Sequence, residues 1–492
     1  MKQRRVRLVL GAVAAAFALT WVGAVGQSAT EGRIARIEAR LQPGIVVKGG
    51  PDRALGIADR MQVHRTPGVS VAVLNGGAVE WARSYGVREA GKPDAVTPHT
   101  RFQAASISKP VTALAALRLV DEGRLSLDED INAKLTSWKV PGIGFTETEK
   151  VTLRRILSHS AGMTVHGFPG YASTAPVPAL AQVLDGVTPA NTAAIRVDIL
   201  PGSAWRYSGG GYTVLQQALI DVGGRPFPQL MRDTVLRPLH MDDSTYEQPL
   251  PAALRGDAAA AHDASGKPIA GSFHTYPEMA AAGLWTTPTD LAKYAAAVRQ
   301  ALSGKSSVLS AATAREMLTR QKESYGLGVS LNGTGREARF GHGGANAGFR
   351  CQLVAYVESG QGAVVMTNGD GGGRLAAEIL RAIAREYEWP GYPASREKTV
   401  ASIPPAVYQA YVGRYEVRPG RVLRIEVADG KLMVVDGRQA LELLPESATM
   451  FFELTQETEV EFVKGPDGAV TGAVINGQIK ARRLDASNCP KP

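Results

Sequence analysis

The stretch QAASISKPVTALAAL, residues 103–117, places a lysine where a helix is forming. From Ser106 onward the residues read as a helix start: small residues, then Pro110, then an apolar face through Val111, Leu114 and Leu117, with an end near Gly123. A helix that begins at about Ser106 puts Ser106 and Lys109 one turn apart on one face, close enough for their side chains to meet. A hydroxyl beside an amine in apolar surroundings is the arrangement of a nucleophile and its activator. Taken alone, the same residues also describe an N-capping serine and a solvated lysine, so the stretch needs partners elsewhere in the chain.

Upstream, residues 31–66 read as a helical entry ending at Thr66-Pro67. GVSVAVLNGGAVEWARSYGVRE, residues 68–89, then gives two alternating β runs around Asn75-Gly76-Gly77, a strong hairpin signal. Downstream, residues 103–330 are helical pattern and loop, and Thr287-Pro288-Thr289-Asp290 reads as a capped helix start before LAKYAAAV. From Arg339 the β pattern returns in GFRCQLVAYVE and GAVVMTN, followed by the amphipathic RLAAEILRAIAREYEW. Strands at both ends of a region with a helical middle predict an α+β fold: one antiparallel sheet flanked by helices, closed by the two ends and carrying a helical insertion. A site then falls in the crevice between sheet and insertion. Residues 391–403, within PGYPASREKTVASIPP, read as a linker. Residues 404–492 change to short strands with Asp-Gly and Asn-Gly turns, a small all-β barrel or sandwich. The catalytic domain is thus expected over residues 31–390.

The first thirty residues differ from the rest. Lys2, Arg4, Arg5 and Arg7 precede an uncharged apolar run from Leu8 to Gly26 and a small-residue exit, the pattern of an export signal; an uncleaved anchor is the alternative. A periplasmic or secreted protein is expected, touching a membrane only if that segment stays attached. Removing its four basic residues takes the formal charge from +9 to +5, and no basic run is interleaved with aromatics, so nucleic acid is not an expected partner. The two cysteines, Cys351 and Cys489, lie far apart and could pair after export.

Several motifs fail on spacing. Gly304-Lys305-Ser306 resembles the end of a phosphate-binding loop, but Arg299 stands where its first glycine is required. No HExxH helix exists, the eight histidines show no metal-ligand spacing, and no G-x-S-x-G elbow accompanies His342-Gly343-Gly344. No metal or organic cofactor is expected. Three elements remain: Ser106 with Lys109; Tyr207-Ser208-Gly209 in a glycine-rich turn before another helix; and His342-Gly343-Gly344 before a strand, where glycines let a ligand approach the backbone. Each has a structural alternative as a cap, a core tyrosine or a tight turn.

In that order, the three elements resemble the S-x-x-K, Y-x-N and K-T-G or H-x-G motifs of the serine β-lactamase and penicillin-binding-protein superfamily. The resemblance is nearest to its class C β-lactamase-like branch, with D-aminopeptidases, D-Ala-D-Ala carboxypeptidases and carboxylesterases. RFQAASISK, LRRILSHSAGM, WRYSGGGY, AAGLWTTPTDLAKYA, YGLGV and RFGHGGANAG carry it, over roughly residues 55–388, and the C-terminal part resembles the lipocalin-like domain appended to some members. The resemblance implies a β-lactamase/transpeptidase-like fold. It makes Ser106 the acyl-accepting nucleophile, Lys109 its activator, and Tyr207 the general base toward Ser106 and later the proton donor to the leaving group. The backbone N–H groups of Ser106 and Ala345 would form the oxyanion hole, with His342, Gly343, Gly344 and Gly209 toward the substrate. A buried lysine loses basicity, and a cation beside a tyrosine favours phenolate, so the pair is expected to share a proton.

Two departures bear on substrate. Gly209 replaces the asparagine that holds a substrate amide carbonyl in relatives, and His342 replaces a lysine that supplies fixed charge for a carboxylate. Both lean toward an esterase or D-amino-acid peptidase acting on a small-molecule or peptide substrate, cell-wall material included, rather than a true class C β-lactamase. A penicillin-recognising or wall-binding protein without turnover is the non-enzymatic alternative. Ser158 and Ser160, in the H-[ST]-x-G stretch around His159, are expected to be structural, and His166, Trp205, Tyr212 and Trp285 are expected at the crevice or in the core.

Overall fold

At Asn75 the chain reverses through Gly76 and Gly77, both in left-handed backbone (φ +61° and +86°), which a two-residue hairpin requires and only glycine adopts freely. The computed structural model describes residues 28–142, 144–437 and 439–484. Residues 1–27 of the expected export signal, and Cys489, lie outside them. Two compact units result: one runs to Leu41 and resumes from Leu55 to Tyr392, the other takes Gln42–Ala54 and the chain from Pro393.

The first unit is built on a six-stranded sheet. Its strands are β1 (Gly68–Asn75), β2 (Ala78–Gly86), β3 (Ser330–Asn332), β4 (Arg339–Asn346), β5 (Phe349–Tyr356) and β6 (Gly362–Thr367), in the order β2-β1-β6-β5-β4-β3. All neighbours are antiparallel, and the amino-terminal hairpin meets the later meander where β1 pairs with β6. Sequence alternation in β1 predicts one buried and one open face, but the strand is buried on both. Val69, Val71 and Val73 enter one core and Ala72 and Leu74 the other, because β1 is central and helices cover both sides.

The helices divide between those faces. One face carries α1 (residues 28–39), the short helix Ile57–Val63 and α5 (Gly372–Glu386), whose Leu375, Ile379 and Ile383 recur at helical spacing toward the sheet. Arg60, on the short helix, donates Nε to Glu378 of α5 at 2.6 Å, and His64 Nε2 lies 2.9 Å from the same carboxylate. The other face carries α2 (Ser108–Asp121), α3 (Gly209–Gly223) and α4 (Pro288–Leu302), which form the insertion and share the larger core. Thr287 caps α4 as expected, its hydroxyl accepting from Asp290 N–H at 3.2 Å.

The helical entry expected over residues 31–66 is interrupted. Helix α1 ends at residue 39, and the following segment joins the second unit, where Ile45–Val47 pairs in parallel with Arg396–Lys398. The stretch 391–403, read as a linker, therefore carries a strand. Pro43-Gly44 and Gly49-Gly50-Pro51 bracket IVV and were the available break signals.

The second unit is a nine-stranded antiparallel sheet over residues 413–484. Its first strand, Gly413–Arg418, pairs with its last, Ile479–Leu484, and the two edges, Gln439–Glu442 and Leu444–Pro445, are adjacent in sequence. The result is a nearly closed barrel around Tyr411, Tyr415, Ile425, Phe451 and Phe462.

Candidate active site

Ser106 lies in a single 3₁₀ turn, Ala105–Ile107, that feeds α2 at Ser108. The helix thus begins two residues later than the sequence reading has it. Ala105 is held at φ +50°, an unfavourable backbone for a residue with a β-carbon. Ser108 fixes the strained turn: its hydroxyl donates to Ala105 O at 2.5 Å and accepts from Leu284 N–H at 3.0 Å. The outcome is that Ser106 opens to a cleft while its neighbours on both sides are buried.

Lys109, on the first turn of α2, is 2% exposed. Its Nζ donates to Ser106 Oγ at 3.0 Å and to Ala281 O at 2.8 Å, and no carboxylate among the described residues pairs with it. Burial lowers its pKa from 10.5 to about 7. Tyr207 precedes α3, positioned by Ser208, whose hydroxyl caps the helix by accepting from Gly211 N–H at 2.9 Å and donates to Thr164 O at 2.7 Å. The Lys109 amine stands 5.0 Å from the centre of the Tyr207 ring. Burial raises the Tyr207 phenol above its ordinary value, with a hydrogen bond to Ser106 opposing. Burial thus works against the phenolate that a neighbouring cation would favour, and it lowers the amine as well.

Strand β4 brings the third element. A β-carbon on Gly344 would fall 2.2 Å from Ala104 O, so only glycine lets β4 lie directly against the nucleophile turn. Ala345, one residue on, faces the cleft. His342 is buried, its Nδ1–H donating to Gly343 O at 2.5 Å, and burial followed by the nearby Lys109 lowers its pKa to about 3. The imidazole is neutral and offers no fixed charge.

Ser106, Tyr207, His342, Gly343, Gly344 and Ala345 line one cleft of about 1100 Å³, together with His166, Phe168, Pro169, Trp205, Arg206, Arg350 and Gln352. Gly209 does not line it. It is buried at the start of α3 with its N–H on His166 O, and a β-carbon there would meet the Phe168 ring at 2.9 Å. Phe168 occupies the space an asparagine side chain would need. Tyr212 and Trp285 are core residues, fully buried, whereas His166 and Trp205 border the cleft. Ser158 and Ser160 are buried and bonded to each other at 2.9 Å, with Ser158 also donating to Arg154 O.

Sequence reasoning missed Phe168, Arg206, Arg350 and Gln352. For two of these a signal existed: Arg350 and Gln352 sit on β5 directly across from Ala345 and Gly343, so strand alternation from the glycine motif leads to them. Phe168 is on a loop without periodicity. Both arginines are engaged, Arg206 with Asp198 and the Gly162 carbonyl, Arg350 with Asp370 at 2.8 Å and the Asn346 carbonyl.

The serine–lysine pair, the tyrosine and the glycine strand thus converge in one cleft between sheet and insertion, and residues 56–388 match the Beta-lactamase family. The chain belongs to the beta-lactamase family. It is a β-lactamase-fold serine hydrolase, a group that includes penicillin-binding proteins, carboxypeptidases and esterases. Residues 397–487, largely the barrel, match a domain of unknown function, DUF3471. A penicillin-binding protein of Bacillus subtilis (strain 168) is 24% identical over 427 residues, 81% of this chain and 91% of that protein. The octameric penicillin-binding protein homologue from Pyrococcus abyssi is 20% identical with a TM-score of 0.56, covering 87% of this chain and 98% of that one. A beta-lactamase/D-alanine carboxypeptidase from Yersinia pestis, crystallised with citrate, is 19% identical with a TM-score of 0.51, covering 67% and 97%.

Proposed function

We propose that the chain is an exported, periplasmic or secreted hydrolase that cleaves ester or D-amino-acid amide bonds through an acyl-enzyme on Ser106, with weak or no action on β-lactams. The observation that carries this is the Lys109 amine, 3.0 Å from Ser106 Oγ and lowered by burial to about 7. A base is most effective when its pKa lies near the working pH, which favours Lys109 over the buried phenol for the first proton transfer. Neutral Lys109 takes the proton of Ser106 as its oxygen attacks the substrate carbonyl. The backbone N–H groups of Ser106 and Ala345 receive the developing oxyanion, each worth on the order of 3 kcal/mol. Tyr207 gives its proton to the leaving oxygen or nitrogen and regains one from the Lys109 ammonium. Water then repeats the sequence on the acyl-enzyme.

The substrate class follows from charge and space. His342 is neutral, both cleft arginines are engaged, and Phe168 fills the place of the amide-binding asparagine, so the cleft favours an uncharged acyl group. The test is parallel turnover of p-nitrophenyl esters, D-amino-acid amides and nitrocefin, with Ser106→Ala as blank and fluorophosphonate labelling mapped by peptide. Ester or D-amide turnover abolished in Ser106→Ala, with label on Ser106, supports the proposal. Full activity in Ser106→Ala, or binding of penicillin without any adduct, defeats it.

A further inference from the structure

In the cluster of rings around Tyr207, three buried polar atoms have no partner among the described residues: His159 Nε2, His342 Nε2 and the Tyr325 hydroxyl. His159 is held at φ +58°, and its ring packs on Tyr207 at 4.3 Å between centres and on Tyr325 at 4.8 Å. The Tyr325 ring lies 6.2 Å from His342, and Tyr207 lies 6.0 Å from His342.

The hydrogen-bonding partners fix what each atom offers. His159 Nδ1 accepts from Ser208 N–H at 3.1 Å, so the neutral ring carries its proton on Nε2. His342 Nδ1 faces the Gly343 carbonyl, which can only accept, so the neutral ring leaves a lone pair on Nε2. Both rings are neutral: burial, with Lys109, His342 and His166, lowers His159, and burial with Lys109 lowers His342. One donor, one acceptor and one hydroxyl able to be either are therefore buried and unmatched within one cluster of neighbouring rings. Interiors rarely leave such groups unmatched, and a buried water satisfying about three of them is the common solution.

We infer that this triad holds a structural water that accepts from His159 Nε2–H, donates to His342 Nε2 and bonds the Tyr325 hydroxyl, making His159 and Tyr325 positioning residues for His342 and Tyr207. The water ties the H-[ST]-x-G turn to the strand β4 segment 342–345 and backs the Tyr207 ring, so both sides of the acyl-transfer site are braced from one point. His159 thereby gains a role that the structural reading of its stretch does not give it. The kinetic part of the inference rests on the hydrolase proposal above; the water itself does not.

Tyr325→Phe is the discriminating variant, since it removes one oxygen and keeps the ring packing. A hydroxyl with no role is lost at no cost, and with it an unmatched buried group. The inference instead expects kcat to fall about tenfold on whichever substrate the wild type turns over, with KM and the melting temperature unchanged, and expects Tyr325→His, which can still bond water, to recover part of the loss. A crystal structure of the wild type should show density within hydrogen-bonding distance of all three atoms. Absence of that density overturns the water, and density with unchanged kcat in Tyr325→Phe overturns the positioning role. If the wild type turns over no ester, amide or β-lactam, the hydrolase proposal and the positioning role fall with it, while the density still decides the water.

Discussion

Replacing Lys109 with methionine should cut activity steeply and stabilise the protein. An ordinary lysine keeps its charge to pH 10.5, and burial brings Lys109 to about 7. Between those values the unfolded chain holds a proton that the folded chain has released, so stability rises with pH across the window, and the full penalty is felt below it. At about 1.4 kcal/mol per pH unit the penalty totals about 5 kcal/mol. Methionine has similar length and no charge, so it removes that penalty. It also strips the Ala281 carbonyl and Ser106 hydroxyl of their donor, a loss of about 1–3 kcal/mol. The net expectation is a gain of about 2–4 kcal/mol at pH 7, shrinking by about 1.4 kcal/mol per unit toward pH 9. Urea unfolding of both proteins at several pH values measures this directly. Parallel stability curves would refute it, because they would mean the amine stays charged in the folded state. In activity, kcat/KM of the wild type on an activated ester should rise through about pH 7 to a plateau, and Lys109→Met should lower it roughly 10²–10⁴-fold.

Gly344→Ala should cut kcat at least tenfold with lesser change in melting temperature, since its methyl group would collide with the Ala104 carbonyl and push β4 off the nucleophile turn; unchanged ester turnover would sink that contact. Glu378→Gln should cost about 3–5 kcal/mol in urea unfolding, because it leaves Arg60 buried without a counter-charge. In the wild type, burial pushes the Glu378 carboxyl up, but hydrogen bonds from His64 and Arg60 prevail and hold it below its ordinary value, so that stability is present at neutral pH and lost as pH falls through the carboxylate range. Cys351, raised to about 12 by burial, should resist alkylation in the folded protein and react fully in urea, followed peptide by peptide.

What was legible in the sequence was whatever local chemistry dictates. The Asn75-Gly76-Gly77 turn, the Thr287 cap and the amphipathic α5 are each specified by residues within a few positions of one another, and all three form. Ser106 and Lys109 are one turn apart, so their meeting needed only the helix. What escaped depended on distant packing. The strand Ile45–Val47 has only three residues and finds its partner about 350 positions later. Phe168 displaces the expected role of Gly209 from a loop that carries no period, and the ionisation of Lys109 and Tyr207 depends on burial that composition does not reveal.

That burial has consequences in three places at once. The same desolvation lowers Lys109, raises Tyr207 and neutralises His342, so the site can hold a free base, a proton donor and an uncharged third motif at the same pH. Charging any one of them would disturb the others, since Lys109 acts on both His342 and His159 across the buried space. A substrate carboxylate placed against His342 would draw protons onto the imidazole and the amine, and a protonated Lys109 cannot accept the proton of Ser106. Under the proposed reaction, anionic substrates should therefore shift the rising limb of the pH–kcat profile upward relative to neutral esters. The preference for an uncharged acyl group is then a property of the proton relay as much as of the shape of the cleft.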